Sequence, residues 1–461
     1  MSHPATSLPV AVIGGGITGL TAAWHLQRAG IPVVGFEAAP VAGGMIVSTR
    51  RDGWLWEAGP NSIVESSAEV ADLVDALGLG SRRCYAGGRA GNRYVVRDGR
   101  LVALPASPLG FLRTRLFSPR AKLRLLREPF CARAAPDADE SVAQFVVRRL
   151  GREFLDYAVN PFVGGVYAGD PRRLSVRHGF PKLHALEQRH GSLLRGALVR
   201  RNATGGPQGR IFSFPDGLEE LPRALTVSLG GAMRLNHRVR KIRRCGGHWE
   251  IDGEAGRARP GERFRAVVCA LPAGSLATLP FEGVPAASLL ADLREIEHPP
   301  VLSIFTGFRR ADVAHPLDGF GLLVPEVEQR RLLGTLFSSS LFPGRAPEGC
   351  VALTSFTGGA RSPELVKLGE AELRKLVQEE LRELLGVRGA PVFFNVHRWP
   401  RAIPQYQVGY ARFKAMLVAV EAGAPGLHIG GNVRDGISLA NCIEAGRRLA
   451  VAAGASRSAA Q

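Results

Sequence analysis

Gly14, Gly16 and Gly19 form a G-x-G-x-x-G pattern directly after the apolar run Val10–Ile13, and Glu37 closes the next apolar run, Val33–Phe36. These residues do no bond-making themselves. Their types and spacing suit holding a dinucleotide, so the chemistry they imply is redox chemistry borrowed from a cofactor. The first glycine permits a tight turn, the second lets backbone approach a pyrophosphate, and the third lets a helix pack closely on the strand. A helix starting near Ile17 would aim its free N–H groups and positive dipole end at the phosphates. Glu37 sits where a carboxylate accepts from both ribose hydroxyls, which favours an unphosphorylated ribose. The alternative is a glycine-rich structural turn, but strand, helix, second strand and terminal acid occur here in the order a dinucleotide fold needs. No G-x-S-x-G elbow, H-E-x-x-H helix or C-x-x-C pair offers a competing chemistry.

The elements around these residues narrow the cofactor. A second glycine pair, Gly43 and Gly44, follows the ribose acid. Next come a hairpin pattern with Asp52-Gly53 at its turn and the loop Trp56 to Asn61. A nicotinamide enzyme does not need this addition, whereas an extended FAD must be gripped far from the first turn. Near the other end of the chain a short apolar run at 427–429 is followed by Gly430, Gly431 and Gly436 and a helix from about Ser438. A glycine turn entering a helix is a second place for an anion or a flavin edge to approach.

At 461 residues, 45% of them apolar, the chain predicts two or three domains with sizeable cores. Its six cysteines are scattered and its eleven histidines lack ligand spacing, so no metal site or disulfide framework is expected, and a reducing compartment fits. The first strand begins near Val10, so no secretory leader is expected. No apolar run reaches ~18 residues, so nothing is expected to span a bilayer. The formal charge of +18 points to nucleic acid, an anionic membrane face or a polyanionic substrate. Nucleic acid ranks last because no binding motif for it is found.

Along the chain, a helix is expected over 67–79 and two short strands over 92–104 around Asp98-Gly99. Residues 107–130 alternate Leu and Phe with Arg and Lys. This reads equally as a segment lying on an anionic membrane or as a helix pair with one core face and one solvated face. Helices are expected over 141–150 and 153–159, a loop over 160–175, a basic amphipathic helix over 182–201 and a glycine-rich linker over 203–209. A helix at 217–229 follows, then strands at 234–242, 249–252 and 266–271, the last returning to the parallel sheet. Residues 274–415 read as mixed α+β, with strands 301–308 and 350–356 and a charged helix over 370–385.

The segments GGGITGL, GPNS, VGGVYAGDPRRLS, HRWPRAIPQYQVGY and GGNVRDGISLANCIEAG resemble those of the protoporphyrinogen oxidases, within the broad amine oxidase superfamily. The resemblance runs along essentially the whole chain, and the composition looks bacterial. It implies an α/β fold: a discontinuous Rossmann-type FAD-binding domain (p-hydroxybenzoate hydroxylase/amine oxidase-like), a mixed α+β substrate domain and a helical membrane-associating insertion. The implied boundaries are 1–85, 217–273 and 424–461 for the FAD domain, 86–94, 201–216 and 274–423 for the substrate domain, and 95–200 for the insertion. It implies oxygen-dependent, six-electron oxidation of a porphyrinogen in haem synthesis, with hydride passing to flavin N5 and hydrogen peroxide released.

By the same resemblance, FAD falls to Gly14, Gly15, Gly16, Ile17, Thr18, Gly19, Glu37, Gly43, Gly44, Met45, Gly59, Pro60, Asn61, Ser62, Val239, Asn432, Ile437, Ser438 and Leu439. The substrate falls to Arg93, as cation for a propionate, to Leu323 and Phe356 as flat apolar walls, and to Gly165 close to the ring. No side chain is assigned as catalytic. Implied partners are the porphyrinogen, molecular oxygen, an anionic membrane surface, a ferrochelatase for product hand-off and a second copy in a homodimer. The implied location is cytoplasmic, at the inner membrane periphery. Two departures stand out: Gly409-Tyr410 where many members have Gly-His, and Asn441 where many have Asp. Coproporphyrinogen III oxidation is the runner-up. A flavin amine oxidase with Trp399, Tyr406 and Tyr410 as aromatic cage fits the basic charge poorly, and a non-catalytic flavin-binding protein would not need the substrate-like segments.

Overall fold

The computed structural model describes residues 8–88, 91–202, 209–253 and 262–456. Its organising layer is a parallel sheet in the order Met233–Arg234, Val33–Phe36, Val10–Ile13, Ala266–Cys269, Leu427–Ile429. Val10 lies opposite Val33 on one side and Ala266 on the other. The central strand is buried on both faces, which is why its sequence is an unbroken apolar run. The sheet draws strands from three separate stretches of chain. Its outer helices, Ile17–Arg28 and Leu439–Ala455, pack on each other so closely that a Cβ on Gly446 would lie 2.6 Å from the Thr18 carbonyl oxygen. The two glycine turns at opposite ends of the sequence are thereby made neighbours.

A seven-stranded sheet forms the second layer. Its order is Phe393–Trp399, Val301–Arg309, Cys350–Gly358, Leu332–Leu336, Gly319–Leu323, Asn92–Arg97, Arg100–Ala103. One face carries Leu302, Ile304, Leu322, Leu332 and Leu353 against the buried side of helix Glu370–Leu385, which presents Leu373, Leu376, Val377 and Leu381 at helical spacing. The opposite face turns toward the cofactor layer, where Phe305 meets Trp54 and Trp56 of the Asp52-Gly53 hairpin.

Between Arg100–Ala103 and Arg210–Ser213 lies a helical insertion. Its core is pinned by a buried charge cluster: Arg149 donates to Glu128 at 2.9 Å and to Glu187 at 2.8 Å. Among the described residues no helix is long and apolar enough to cross a membrane.

Three expectations need correction. Residues 160–175 do not form a loop throughout: Asn160–Phe162 is helical and Val163–Tyr167 is a π-helix. Val163 and Leu155 are buried in the insertion core, and the wider π turn accommodates the glycine pair. Irregular chain starts only at Ala168, at φ +50°. The 182–201 helix is two helices, Pro181–His190 and Leu193–Asn202, broken at Gly191 (φ +69°). The 234–242 strand is also two, Met233–Arg234 and Val239–Cys245, in different sheets, with a left-handed turn at Asn236 between them. Strand periodicity does not say which sheet a residue joins. Residues 203–208 of the glycine-rich linker lie outside the described residues.

Candidate active site

The dinucleotide end is made almost wholly of backbone. Gly14 has φ +104°, and a Cβ there would lie 2.6 Å from the Ala270 carbonyl oxygen. A Cβ on Gly19 would lie 1.9 Å from the Gly14 oxygen, so helix and turn meet only through glycine. Above Gly16, by contrast, nothing lies within 4 Å. The helix beyond it, containing Ile17 and Thr18, has no side-chain cap and no acid in its first turn. Its N–H donors and dipole are therefore left to an outside anion. Glu37 is held in place, accepting from the Gly15 N–H at 2.6 Å and the Ala39 N–H at 2.8 Å. Asn236 and His237 run beside it, donating from their backbones to Ala39 and Glu37, the latter contact two residues before Val239. An open space over a glycine, an uncapped helix and a fixed carboxylate fit a dinucleotide.

Gly43 and Gly44 do not reach away from this turn. The Gly43 N–H donates to the Gly15 oxygen at 2.8 Å, and Gly43 bridges to Gly16. The second glycine pair therefore doubles the first turn, which leaves Gly59, Pro60, Asn61 and Ser62 as the candidates for a grip farther along. A Cβ on Gly59 would sit 2.0 Å from the Met45 oxygen and 3.7 Å from the Trp399 ring. The Trp399 indole donates to the Ala58 oxygen at 2.8 Å, and Asn61 donates to the Gly59 oxygen at 3.0 Å.

The C-terminal turn meets the first helix at Gly431, whose Cβ position is 3.3 Å from the Thr18 hydroxyl. Tyr406 donates to the Asn432 oxygen at 2.7 Å and accepts from the Gly436 N–H at 2.9 Å; Tyr410 donates to the Val433 oxygen at 2.7 Å. Burial pushes both phenols well up, so both stay protonated. Tyr406 and Tyr410 thus brace the turn carrying Asn432 and Ile437 and are no substrate cage. Ser438 caps the last helix, accepting from the Asn441 N–H at 3.1 Å. Its hydroxyl donates to the Asn441 carboxamide oxygen at 2.6 Å, so the cap is complete without a charge. Leu439 begins the helix and packs on the core around the parallel sheet.

The substrate candidates come from strands far apart in sequence, yet the register aligns them. Val95, Leu323, Gly334, Phe356, Ser303 and His397 form one transverse row of the seven-stranded sheet. One step along, Arg93 lies opposite Gly321, on the same face as Val95. Leu323 and Phe356 therefore share a face with Arg93. At ~4.8 Å per strand they span a floor of roughly 14 Å. Gly165 closes on that floor from the insertion: a Cβ there would lie 2.4 Å from the Leu323 side chain. Phe356 and Trp399 pack on Leu333 and Ala168, and the Trp399–Ala58 bond joins the floor to the Gly59–Ser62 loop. The Arg93 guanidinium stands exposed, over the Phe320 ring at 5.8 Å, with no hydrogen bond or ion pair among the described residues.

Sequence reading missed several residues here. Arg345 donates to Glu57 at 2.8 Å and to the Ser213 hydroxyl at 2.7 Å, deep under the Ala58–Asn61 loop. Arg361 donates to the Val324 oxygen at 2.9 Å behind Gly164, and burial lowers its pKa. No spacing signal could find a pair 288 residues apart. A groove of 910 Å³ lies elsewhere, lined by Asp139, Arg148, Asp156, Asn160, Arg172 and Glu326 among others. Arg148, Asp156, Arg172 and Glu326 there are already ion-paired, so size does not make the groove the active site.

Residues 17–453 match the family model described as flavin containing amine oxidoreductase. The mitochondrial protoporphyrinogen oxidase of Nicotiana tabacum is 35% identical, over 95% of this chain and 93% of that protein. The coproporphyrinogen III oxidase of Bacillus subtilis is 26% identical, over 95% and 96%. A solved structure from Exiguobacterium sp. 255-15, provisionally named a protoporphyrinogen oxidase, superposes with a TM-score of 0.81 at 23% identity, covering 97% of this chain and 99% of that one. The chain belongs to the flavin-containing amine oxidoreductase family, and its cofactor is FAD.

Proposed function

We propose that this protein oxidises protoporphyrinogen IX to protoporphyrin IX in haem biosynthesis. The observation that carries the reading is the shared sheet face of Arg93, Leu323 and Phe356, in a chain that aligns with protoporphyrinogen oxidases along nearly its whole length. Bound FAD supplies two-electron hydride acceptance, with dioxygen as terminal oxidant and hydrogen peroxide as product. The protein's own residues bind and orient. Arg93 offers a propionate a planar, bidentate cation at one edge of the floor. Leu323 and Phe356 remove apolar ring surface from water. Gly165 lets backbone approach where a side chain would collide. The Trp399–Ala58 bond holds the Gly59–Ser62 loop against the same floor, so macrocycle and cofactor are oriented by one wall.

The test is direct. The purified yellow protein is given protoporphyrinogen IX, coproporphyrinogen III and a set of amines in air, with porphyrin fluorescence and peroxide followed. Porphyrin from protoporphyrinogen above autoxidation is expected; its absence sinks the proposal. A faster rate on coproporphyrinogen III would favour the second reading, which the Bacillus relative keeps in view.

We also propose that the helical part of 95–200, beyond the sheet strand Arg100–Ala103, rests on an anionic membrane face. Leu112, Leu126 and Phe130 are 66%, 67% and 83% exposed, amid Arg113, Arg115, Arg120, Lys122, Arg124 and Arg127. Apolar side chains held out among cations suit an anionic interface better than water. Co-sedimentation with anionic vesicles is expected, and Phe130→Glu with Leu126→Glu should abolish it. Unchanged sedimentation of that double variant would refute the assignment.

A further inference from the structure

The hairpin formed by Val239–Cys245 and His248–Gly253 brings together three donor side chains that no spacing rule singles out. Cys245 pairs with His248 across the turn, and Arg243 pairs with Glu250. Strand alternation then puts Cys245, His248 and Glu250 on one face, while Ile242, Trp249 and Ile251 point into the core. One ligand atom from each of the three lies within 4.8 Å of the others. We propose that Cys245, His248 and Glu250 bind a single zinc ion, with solvent completing the coordination.

Geometry and donor chemistry both support this. The His248 Nε2 to Glu250 Oε1 separation is 3.4 Å. Two ligands about 2.0 Å from a tetrahedral zinc are separated by roughly 3.3 Å, so this pair already spans one edge. Glu250 is pre-oriented, because Arg243 donates to its other oxygen, Oε2, at 3.2 Å and leaves Oε1 facing the imidazole. The Arg243 charge is shared with Glu282 at 2.8 Å and Asp252 at 3.4 Å, which limits its repulsion of a cation. A thiolate, an imidazole and a carboxylate select zinc over magnesium or calcium, which prefer all-oxygen sites. All three residues are half-buried, so the ion has a path in from solvent and room for a water. Burial, then the Glu250 carboxylate, raises the Cys245 pKa, so the thiol is protonated before binding. Zinc replaces that proton, which leaves to solvent, with no change of oxidation state. The ion would staple a hairpin whose first residue, Val239, is one of the residues the family resemblance assigns to FAD.

The test uses the flavin-loaded protein, reduced with a non-thiol reductant and stripped of metal. Cobalt(II) replaces zinc as a visible probe, read in the red where oxidised flavin does not absorb. One equivalent of tetrahedral cobalt, displaced by one equivalent of zinc, is expected. Cys245→Ser and His248→Asn should each abolish the band, Glu250→Gln should weaken binding by ~10-fold or more, and Cys131→Ser should change nothing. No tetrahedral band, or a band surviving in Cys245→Ser, overturns the proposal. So does a band lost in Cys245→Ser but intact in His248→Asn, which would mean a lone thiol. Peptide mapping gives a second readout on the unaltered chain: zinc should protect Cys245 from alkylation, and equal labelling with and without zinc also overturns the site.

Discussion

The turn at Gly14–Gly19 and the floor at Arg93, Leu323 and Phe356 are built in opposite ways. The turn comes from one short stretch, uses backbone almost exclusively, and has no room for a side chain at Gly14 or Gly19, where the Cβ positions fall 2.6 and 1.9 Å from carbonyl oxygens. The floor comes from the strands Asn92–Arg97, Gly319–Leu323 and Cys350–Gly358, and acts through side chains that project from an already paired sheet. Backbone sites bind through groups every residue has, so they demand shape. Side-chain sites bind through chosen groups, so they demand register. Damage to the turn should therefore cost the cofactor and the fold, whereas damage to the floor should cost the substrate alone.

The largest expected effect is at Gly19. Gly19→Val should leave little or no bound FAD and poorly soluble protein, measured as the flavin-to-protein ratio. Normal flavin content would break the comparison, because a backbone collision of that size cannot be absorbed by a rotamer change. Arg345→Ala comes next. It strands Glu57 with only the Ser48 hydroxyl and the Leu218 N–H as partners among the described residues, where burial already raises its pKa. A loss of about 3–5 kcal/mol in stability is expected from chemical denaturation, with partial loss of flavin, since the pair underlies the Gly59–Ser62 loop.

Arg93→Ala should raise KM by roughly 10- to 100-fold, as loss of a charge-assisted contact does, with flavin content and melting temperature intact. Arg93→Lys should fall between, because an ammonium cannot match a carboxylate bidentately. A change in flavin content would blur the division of labour. The smallest effect concerns pH. Burial lowers the pKa of His428 in the parallel sheet and of His397 in the floor row. A depressed folded-state value means the unfolded chain binds the proton first, so this stability is present above about pH 6.5 and lost as pH falls below it. His428→Gln should flatten that acid limb of the melting temperature by roughly a degree or two, and His397→Gln should do so without altering flavin content.

How much was legible follows the same division. Val10–Ile13, the glycine turn, Ile17–Arg28 and Val33–Phe36 fall where periodicity and glycine spacing put them, because each is decided by near neighbours in the chain. The strands around Asp98-Gly99 and the helix Glu370–Leu385 were legible for the same reason. Sequence pattern and structure part company where a distant partner decides. The glycines at 164 and 165 looked like a loop until the insertion core made a π-helix of them. Met233–Arg234 and Val239–Cys245 looked continuous because sheet membership is a long-range property. Gly43 looked like a distant grip because nothing local says that it pairs with Gly16.

By itself the sequence determined a G-x-G-x-x-G turn between strand and helix at Gly14–Gly19, a second glycine turn near the C-terminus, a strongly basic net charge and the kinship of the whole chain, since all four rest on local chemistry or on residue identity. Only the tertiary structure decided that the two turns meet through Thr18 and Gly431, that Tyr406 and Tyr410 are braces, that Arg345 supports Glu57, and that Cys245, His248 and Glu250 converge. Those facts depend on register and packing between residues far apart in the chain, and such contacts leave no period for a sequence to display.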